Sequence, residues 1–414
     1  MTYKFPVIKH LNDVYDAIDI KCFYLVQKDG YQIINYMFSS PEAFPPIEVG
    51  HFGPQQDKDI IKREFRGLKF DLEGNIICRP WHKFFNVGER AETALENIDV
   101  SRPHIILEKL DGSMIAPFIV NGKIVWGTKM GHTEVSEQVE KWLMVNLEDS
   151  INYISFVTNM IETNYTPIFE WTSNAQRIVL DYPESKLVLT GIRNMHTGEY
   201  ASYDKLQAVG LHWNIPVVKA FYAVPVGGNL TQGFIDYIKS LNDMEGVVVK
   251  FDDGHMYKMK SDWYCQLHRV KSEINYERGV VSLLINGNMD DLKSLMPAND
   301  RQRIEDYEVA FNTQITKRAM WLQEMIFNIH DNGMTRKDYA LTLMPTREKW
   351  ESNIVFKTWE EYDNISIANI YGRIEDFIVS NCNRNSKFEE MRTGTSLFKD
   401  VPEWKPVMFD TEEG

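Results

Sequence analysis

The spacing of apolar residues changes near Tyr264, and this change constrains the fold of the 414-residue chain more than any other feature. Before it, short apolar runs alternate with glycine-containing turns. The clearest case spans residues 114–126 around Asn121-Gly122, a strong hairpin signal because both positions tolerate positive φ. After it, such turns become scarce and apolar residues recur at helical spacing. The sequence therefore predicts an α+β domain over residues 1–264 and a mainly α-helical domain over residues 265–414, with the boundary near residues 264–275.

The same patterns predict individual elements. Further hairpins are expected over residues 68–78, 187–200 and 247–259. Helical spacing predicts a helix over residues 136–160, one that begins at a cap formed by Asn299-Asp300, and one over residues 359–379 that is interrupted near Gly372. From Met391 onward, prolines and acidic residues predict a loosely packed tail.

Charge and cysteine content narrow the class of protein. The chain has 45 Lys and Arg against 59 Asp and Glu, a net charge of −14, which excludes a uniformly basic nucleic-acid coat. Any nucleic-acid site must therefore be a local basic patch. The four cysteines show no CxxC spacing, so neither a disulfide framework nor a structural zinc is expected. No apolar run is long enough for a transmembrane helix, so no membrane contact is expected. The cysteine pattern fits a reducing compartment, and a cytoplasmic location is predicted. We also expect a monomer.

The sharpest motif is Glu108-Lys109-Leu110-Asp111-Gly112-Ser113. Apolar residues precede Lys109, so its amine lies where a buried strand ends and can be partly desolvated, as a nucleophilic lysine requires. Gly112 allows a tight turn beside a ligand. An exposed lysine next to an Asp-Gly turn explains the motif equally well.

Three later elements could serve the same chemistry. Glu170 lies in an apolar strand-like run, and a carboxylate there is either paired or binds a ligand hydroxyl. Glu245-Gly246 stands at the start of a second buried strand, where the acid could hold a divalent metal. Lys258 and Lys260 point to the same face of a strand, and phosphate is the natural guest of such a pair. Solvated side chains at strand edges remain the alternative for each.

Two weaker elements lie upstream. Arg66-Gly67 opens a strand, and Lys83 lies among the aromatic residues of segment 80–86. Cations interleaved with aromatic rings occur in nucleotide pockets. On its own, a packed aromatic cluster is the more frequent explanation of this composition.

The fixed order of these elements resembles the covalent nucleotidyltransferase superfamily, which includes ATP-dependent ligases and capping enzymes. Longer stretches resemble the bacteriophage T4 RNA ligase 1 family over about residues 60–295, namely RGLKF, RPWHKFFN, EKLDGS, TKMG, EGVVVK and KMKSDWY. Helices instead of an OB-fold after Lys260 fit that branch of the superfamily. The resemblance implies a nucleotidyltransferase domain of antiparallel sheets flanked by helices. One departure is Val247, where an aromatic residue also occurs in the family.

The resemblance also implies residue roles. Lys109 would attack the α-phosphate of ATP and form lysyl-AMP, and Glu170 would bind the ribose. Glu245 would place a catalytic Mg²⁺ or Mn²⁺ ion. Lys258 and Lys260 would contact the α-phosphate.

Further roles concern the rest of the triphosphate and the metal. Arg66, Lys83 and Tyr264 would hold the departing pyrophosphate. Lys129 matches another ligand-contacting lysine, and Asp290 matches an acidic residue near the metal. One basic groove within an acidic surface is expected to contain five cations: Arg66, Lys83, Lys129, Lys258 and Lys260.

The implied activity is ATP-dependent joining of a 5′-phosphate and a 3′-hydroxyl on single-stranded RNA, with phage repair of nicked tRNA as the implied setting. Circularisation of strands or joining of single-stranded DNA uses the same chemistry and remains open. An inactive RNA-binding protein would show erosion of the reactive positions, and Lys109, Glu245, Lys258 and Lys260 are all present.

Overall fold

The computed structural model describes residues 3–47, 53–99, 101–173, 179–221, 231–287 and 298–405, together with positions 289, 293 and 296. Two compact units divide the chain between Gln266 and Leu267. None of the described helices is long and apolar enough to cross a lipid bilayer.

Strands build the first unit. In chain order they are β1 (Phe23–Lys28), β2 (Tyr31–Tyr36), β3 (Arg66–Phe70), β4 (Ile76–Cys78), β5 (Phe85–Asn86), β6 (His104–Lys109), β7 (Ser113–Val120), β8 (Lys123–Gly127), β9 (Tyr165–Thr172), β10 (Lys186–Asn194), β11 (Gly246–Phe251) and β12 (Met256–Lys260). They form three four-stranded sheets in the orders β1-β2-β3-β4, β10-β9-β7-β8 and β5-β12-β11-β6. Every described pairing of these strands is antiparallel except that of β5 with β12.

Helices flank these sheets. They are α1 (Pro54–Lys62), α2 (Glu134–Val145), α3 (Leu147–Glu162), α4 (Tyr203–Trp213) and α5 (Gln232–Ser240), with 3-10 turns at Leu11–Asp13, Tyr15–Ala17, Ala91–Thr93 and Leu95–Asn97. The helix predicted over residues 136–160 is therefore two helices. Asn146 separates them, because its backbone leaves the helical region and its side-chain amide donates to the carbonyl of Trp142 at 2.8 Å.

Three of the four predicted hairpins are confirmed, as β3–β4, β7–β8 and β11–β12. At the β7–β8 turn, Asn121 and Gly122 both have positive φ, 51° and 74°. Of the hairpin predicted over residues 187–200, the turn is present, because the Asn194 amide donates to the carbonyl of Glu199 at 2.9 Å, but the described structure has no second strand there. A single bridge joins Arg193 to Tyr200. No second strand can follow, since the Ser202 side chain caps α4, which begins one residue later.

Past Lys260, all regular structure in the described residues is helical, and the predicted α+β class with a helical C-terminal part is confirmed. The α-helices are α6 (Asp262–Ile274), α7 (Glu277–Ile285), α8 (Ala298–Asp331), α9 (Arg336–Thr342), α10 (Lys349–Lys357), α11 (Ile367–Asn381) and α12 (Asn385–Gly394), with 3-10 turns at Met344–Thr346, Trp359–Asn364 and Ser396–Phe398. The core of this unit contains the predicted apolar stripe of α8: Ile304, Tyr307, Phe311, Ile315, Ala319 and Leu322.

Three predicted details of the second unit need correction. Helix α8 begins at Ala298, so Asn299-Asp300 lies in its first turn rather than before it. The interruption expected near Gly372 occurs earlier, where the side chain of Ser366 accepts a hydrogen bond from the amide of Asn369 and starts α11.

The third correction concerns the tail. Leu397 and Phe398 are fully buried in the core of this unit. The Trp404 indole donates a hydrogen bond to the carbonyl of Ile274 at 2.6 Å. The chain from Met391 to residue 405 is therefore packed, because its apolar residues outweigh the polar composition that suggested a loose tail.

Candidate active site

Strands β6, β11 and β12 bring the KxDG motif, the Glu245-Gly246 motif and the late lysine pair together. Gly246, the first residue of β11, pairs with Lys109 at the end of β6 and with Lys260 at the end of β12. The two lysine side chains meet a single carboxylate. Glu245 Oε1 lies 2.7 Å from Lys109 Nζ and 3.0 Å from Lys260 Nζ. Glu245 is 2% exposed and the lysines 18% and 19%, so the Lys109 amine does not point into open water.

The backbone at Gly246 explains why glycine follows Glu245. Its φ is 150°, and a Cβ there would lie 1.9 Å from the carbonyl oxygen of Met259. Only glycine fits so close an approach. The close approach keeps Lys109, Glu245 and Lys260 at one end of the sheet.

A second group of cations surrounds Lys83. Burial, together with the positive charges of Lys258, Arg66 and Lys129, lowers the pKa of Lys83 to about 7, against the opposing effect of Glu89. Such repulsion requires Lys258, Arg66 and Lys129 each to lie near Lys83. The structure thus brings together four of the five cations of the expected basic groove. The fifth, Lys260, lies two residues beyond Lys258 on β12.

Aromatic rings support this group, as the segment around Lys83 suggested. The Tyr36 ring centroid lies 4.9 Å from Lys83 Nζ and 5.4 Å from Lys129 Nζ. Lys83 Nζ also lies 5.3 Å from the ring centroid of Phe85. The rings hold the ammonium groups by cation–π attraction while leaving their donors for another ligand.

A buried lysine that sequence reasoning missed links Arg66 to Lys129. Lys69 is fully buried, and its Nζ donates to the carbonyls of Gly67 at 2.9 Å and of Thr128 at 3.0 Å. Burial lowers the pKa of Lys69. At Gly67, whose φ is 83°, a Cβ would lie 2.7 Å from Lys129 Cα, so glycine permits this contact. The one available signal was a lysine inside the apolar run Leu68-Lys69-Phe70.

A buried ion triad holds the segment that carries Lys83. Glu64 accepts from Arg79 Nε at 3.1 Å and from Arg193 Nη2 at 2.8 Å. Burial raises the pKa of Glu64, but the two guanidinium groups outweigh it and hold the value at about 2. Arg193 also donates to the carbonyl of Pro80 at 2.7 Å, and the Lys83 amide donates to the carbonyl of Arg63 at 2.6 Å. The triad therefore fixes both ends of the strand connection that presents Lys83.

The aspartate of the KxDG motif is a second residue whose role the sequence did not reveal. Asp111 is 3% exposed. One of its oxygens accepts from the Tyr264 hydroxyl at 2.6 Å, and the other accepts from the amides of Val179 and Leu180 at 2.7 and 2.6 Å. Tyr264 is itself 2% exposed. Tyr264 thus positions Asp111, and its expected contact with pyrophosphate stays a prediction.

Glu170 lies in β9, beside the turn that follows Lys109. A Cβ on Gly112 would lie 3.0 Å from Glu170 Cγ and 2.4 Å from the carbonyl oxygen of Trp171, so Gly112 lets the turn pack against β9. Burial raises the pKa of Tyr182, and the negative charges of Asp111, Glu170 and Glu245 add to this rise. All three carboxylates thus act electrostatically on the Tyr182 hydroxyl.

The carboxylates suit a metal that arrives with a substrate. Glu245 Oε1 is within ion-pair distance of two lysines, yet no hydrogen bond of acceptable angle reaches this buried atom. Within the described ranges no group of three or more His, Cys, Asp or Glu could form a protein-only metal cage. Mg²⁺ commonly binds one or two carboxylates together with substrate phosphates, and Glu245 fits that mode. Asp290 lies outside the described residues.

Comparison with known proteins gives two family matches and several relatives. The RNA ligase family profile matches residues 64–264, and the profile of the T4 RNA ligase 1 C-terminal domain matches residues 271–386. A putative RNA ligase of Thermovibrio ammonificans is 27% identical over 66% of this chain and 67% of its own length. RNA ligase 1 of bacteriophage TS2126 is 23% identical over 58% of this chain and 57% of its own length.

Among solved structures, an archaeal ATP-dependent RNA ligase aligns with a TM-score of 0.42 and 14% identity, over 69% of this chain and 72% of that chain. The two family matches lie on either side of the division between the compact units and include the segments that carry Lys109, Glu245 and Lys260. On these matches, the chain is an RNA ligase and belongs to the T4 RNA ligase 1 family.

Proposed function

We propose that this RNA ligase joins single-stranded RNA ends at the expense of ATP, with Lys109 as the nucleophile. The observation that carries the proposal is the approach of Lys109 and Lys260 to one buried carboxylate oxygen, at 2.7 and 3.0 Å. A nucleophilic amine needs a fixed position beside groups that bind a phosphate and its metal. The strand register around Gly246 supports that position.

In the first step, the Lys109 Nζ lone pair attacks the α-phosphorus of ATP. A phosphorus–nitrogen bond forms, the bond to the bridging oxygen breaks, pyrophosphate leaves, and the proton released from Nζ passes to the solvent. Lys258 and Lys260 contact the α-phosphate, and Glu170 binds the ribose. A Mg²⁺ or Mn²⁺ ion, held by Glu245 and phosphate oxygens, would neutralise charge that develops during the displacement.

The cations around Lys83 bind the pyrophosphate end. Arg66, Lys83 and Lys129 supply positive charge to the β- and γ-phosphates, which is the main protein contribution to phosphoryl transfer. Their support by Tyr36 and Lys69 favours this role, because the donors are oriented before ATP arrives. Tyr264 is expected to contact the same end of ATP, and its hydroxyl also donates to Asp111.

The two remaining steps transfer the activated group to RNA. AMP passes from Lys109 to a 5′-phosphate and gives a 5′–5′ pyrophosphate linkage. A 3′-hydroxyl then attacks this activated phosphate, forms the new phosphodiester and releases AMP. We assign this chemistry to residues 1–264 and RNA binding to residues 265–414, in a monomer that acts in the cytoplasm of a phage-infected cell.

Covalent labelling tests the proposal. Incubation with α-labelled ATP and magnesium should give label that stays on the denatured protein. Lys109→Ala should remove it, because the amine supplies the bond. Lys123→Ala, which removes an exposed lysine on β8, is the matched control and should keep full labelling. Label retained by Lys109→Ala would show that another residue is the nucleophile.

A substrate panel tests the remainder of the proposal. It contains 5′-phosphorylated RNA, the same strands as DNA, and tRNA cut in its anticodon loop. RNA joining at a higher rate than DNA joining is expected, and preference for cut tRNA over simple strands would support a repair role. Circular products would identify intramolecular joining as the dominant reaction.

A further inference from the structure

A cavity in the second unit has the composition of a ligand site. Its volume is about 400 Å³, in the lower part of the range for small-molecule pockets. The C-terminal half of α8 and the segment up to residue 347 form it. Its walls include Trp321, Glu324, Asn328, Asn332, Met334 and Arg347. It thus combines an aromatic ring, two amides and two opposite charges.

Arg347 is the observation that points to a ligand. Its guanidinium carbon lies 5.6 Å from the ring centroid of Trp321, and its Nε is buried without a hydrogen-bond partner. Within the described part of the chain, no carboxylate lies within ion-pair distance of it, although its positive charge acts on the buried Glu351. A buried guanidinium N–H without an acceptor is unfavourable. A bound molecule with acceptor atoms would remove that penalty.

The charges of the cavity indicate which molecule. A free polyphosphate would be repelled by Glu324, which is exposed at the rim. A guanine base suits both charged groups, because its O6 and N7 atoms accept from arginine while its N1–H and N2–H₂ groups donate to a carboxylate. An aromatic wall such as Trp321 is typical of sites for unstacked RNA bases.

We propose that this cavity binds one unstacked guanine of the RNA substrate, with Arg347 at the O6/N7 edge and Glu324 at the N1/N2 edge. The proposal rests on the RNA-joining function proposed above and adds a base preference to it. Guanine recognition by the helical unit would select among RNA ends that the adenylylation site itself does not distinguish.

Ligation kinetics of the full chain test this proposal. The substrates are 5′-phosphorylated RNA strands that contain one guanosine, one 7-deazaguanosine or only adenosines. Wild-type protein should show a KM about 5- to 100-fold lower for the guanosine strand than for the other two, the range of one bidentate base contact. The 7-deaza strand lacks the N7 acceptor and tests the contact without altering the protein.

Variants identify the residues. Arg347→Ala should raise KM for the guanosine strand to that of the adenosine strand, and Glu324→Gln should weaken the same preference. Arg336→Ala is the matched control, because Arg336 lies 5.3 Å from the Phe356 ring but is exposed and faces Glu360 at 4.0 Å. It should leave the preference intact. None of these variants should change labelling of Lys109 by ATP.

Equal KM values for the guanosine and adenosine strands in wild-type protein would overturn the proposal. A second result would also overturn it: in Arg347→Ala, the slope of log KM against log salt concentration falls by about one while the base preference is unchanged. Arg347 would then contact a phosphate and not a base. Absence of Lys109 labelling in wild-type protein would instead refute the proposed function, so the two failures are distinguishable.

Discussion

The two compact units bury different kinds of side chain. In the first, charged groups are buried within networks, as with Glu64 between two arginines and Glu245 between two lysines. In the second, the buried side chains described are mostly apolar and come from α8 and the helices packed around it. Buried ionic networks fix side-chain positions but leave a costly unpaired charge when one member is lost. The first unit should therefore be far less tolerant of small changes in charge and backbone shape.

The largest difference between the units should appear when a buried carboxylate is neutralised in each. Glu64→Gln leaves Arg79 and Arg193 without their common partner and should lower the free energy of unfolding by about 3–5 kcal/mol. Glu351→Gln should cost less than about 1 kcal/mol, because Glu351 forms no described ion pair and accepts from the Glu348 amide, a bond that glutamine retains. Urea unfolding of both variants measures these values. Equal losses would show that the contrast in buried charge does not govern stability.

Acidification should affect the stabilisation given by Glu64 but not that given by Glu351. The pKa of Glu64 is held at about 2, below its unfolded value of about 4.3, so its stabilisation is complete above pH 4.3 and is lost as the pH falls toward 2. Burial raises the pKa of Glu351, so that group gives no such loss. Unfolding free energies from pH 5 to pH 3 should fall less steeply in Glu64→Gln than in wild-type protein. Parallel curves would contradict the assignment.

A glycine substitution in each unit should give the next largest contrast. Gly246→Ala forces a Cβ against the carbonyl oxygen of Met259 and should cost about 1–3 kcal/mol or more, with loss of Lys109 labelling. Gly372 lies inside α11, and nothing lies within 4 Å of a Cβ placed there. Gly372→Ala should therefore stabilise the protein by up to about 1 kcal/mol. Denaturant midpoints and ATP labelling check both expectations, and normal labelling in Gly246→Ala would contradict the role of this close approach.

A smaller effect is expected from Lys69, which is fully buried. Lys69→Met keeps the length of the side chain and leaves the carbonyls of Gly67 and Thr128 without a donor, at a cost of about 1–3 kcal/mol. Arg66 and Lys129 should then lose their fixed spacing, so KM for ATP should rise while the site of labelling stays at Lys109. Lys123→Met is the control. An unchanged KM would restrict Lys69 to a role in stability.

Lys69 also shows where sequence reasoning stops. Local patterns predicted the three confirmed hairpins, because turn residues and alternation are properties of neighbouring positions. The motif order pointed to Lys109, Glu245 and Lys260, and the structure pairs Gly246 with both lysines and brings their amines to the Glu245 carboxylate. Nothing local indicated that Lys69 would meet the Thr128 carbonyl or that Asp111 would accept from Tyr264. These contacts depend on how separate sheets pack, and a hydrogen bond between distant segments leaves no periodic signal.

The smallest expected effect concerns pH and the cations around Lys83. Because the pKa of Lys83 is about 7, the free protein loses this charge as the pH rises through neutrality, whereas bound triphosphate favours the charged form. The affinity for ATP should therefore weaken above pH 7, by up to about tenfold per pH unit. Lys83→Arg stays charged over this range and should bind with a flatter dependence. Calorimetry between pH 6 and pH 9 gives the dissociation constant of ATP for wild-type protein and for Lys83→Arg. The titration of ATP itself affects both constants equally and cancels in their ratio. A constant ratio would mean that Lys83 keeps its charge without ligand. Burial of a cation at Lys83 would then not distinguish the first unit from the second.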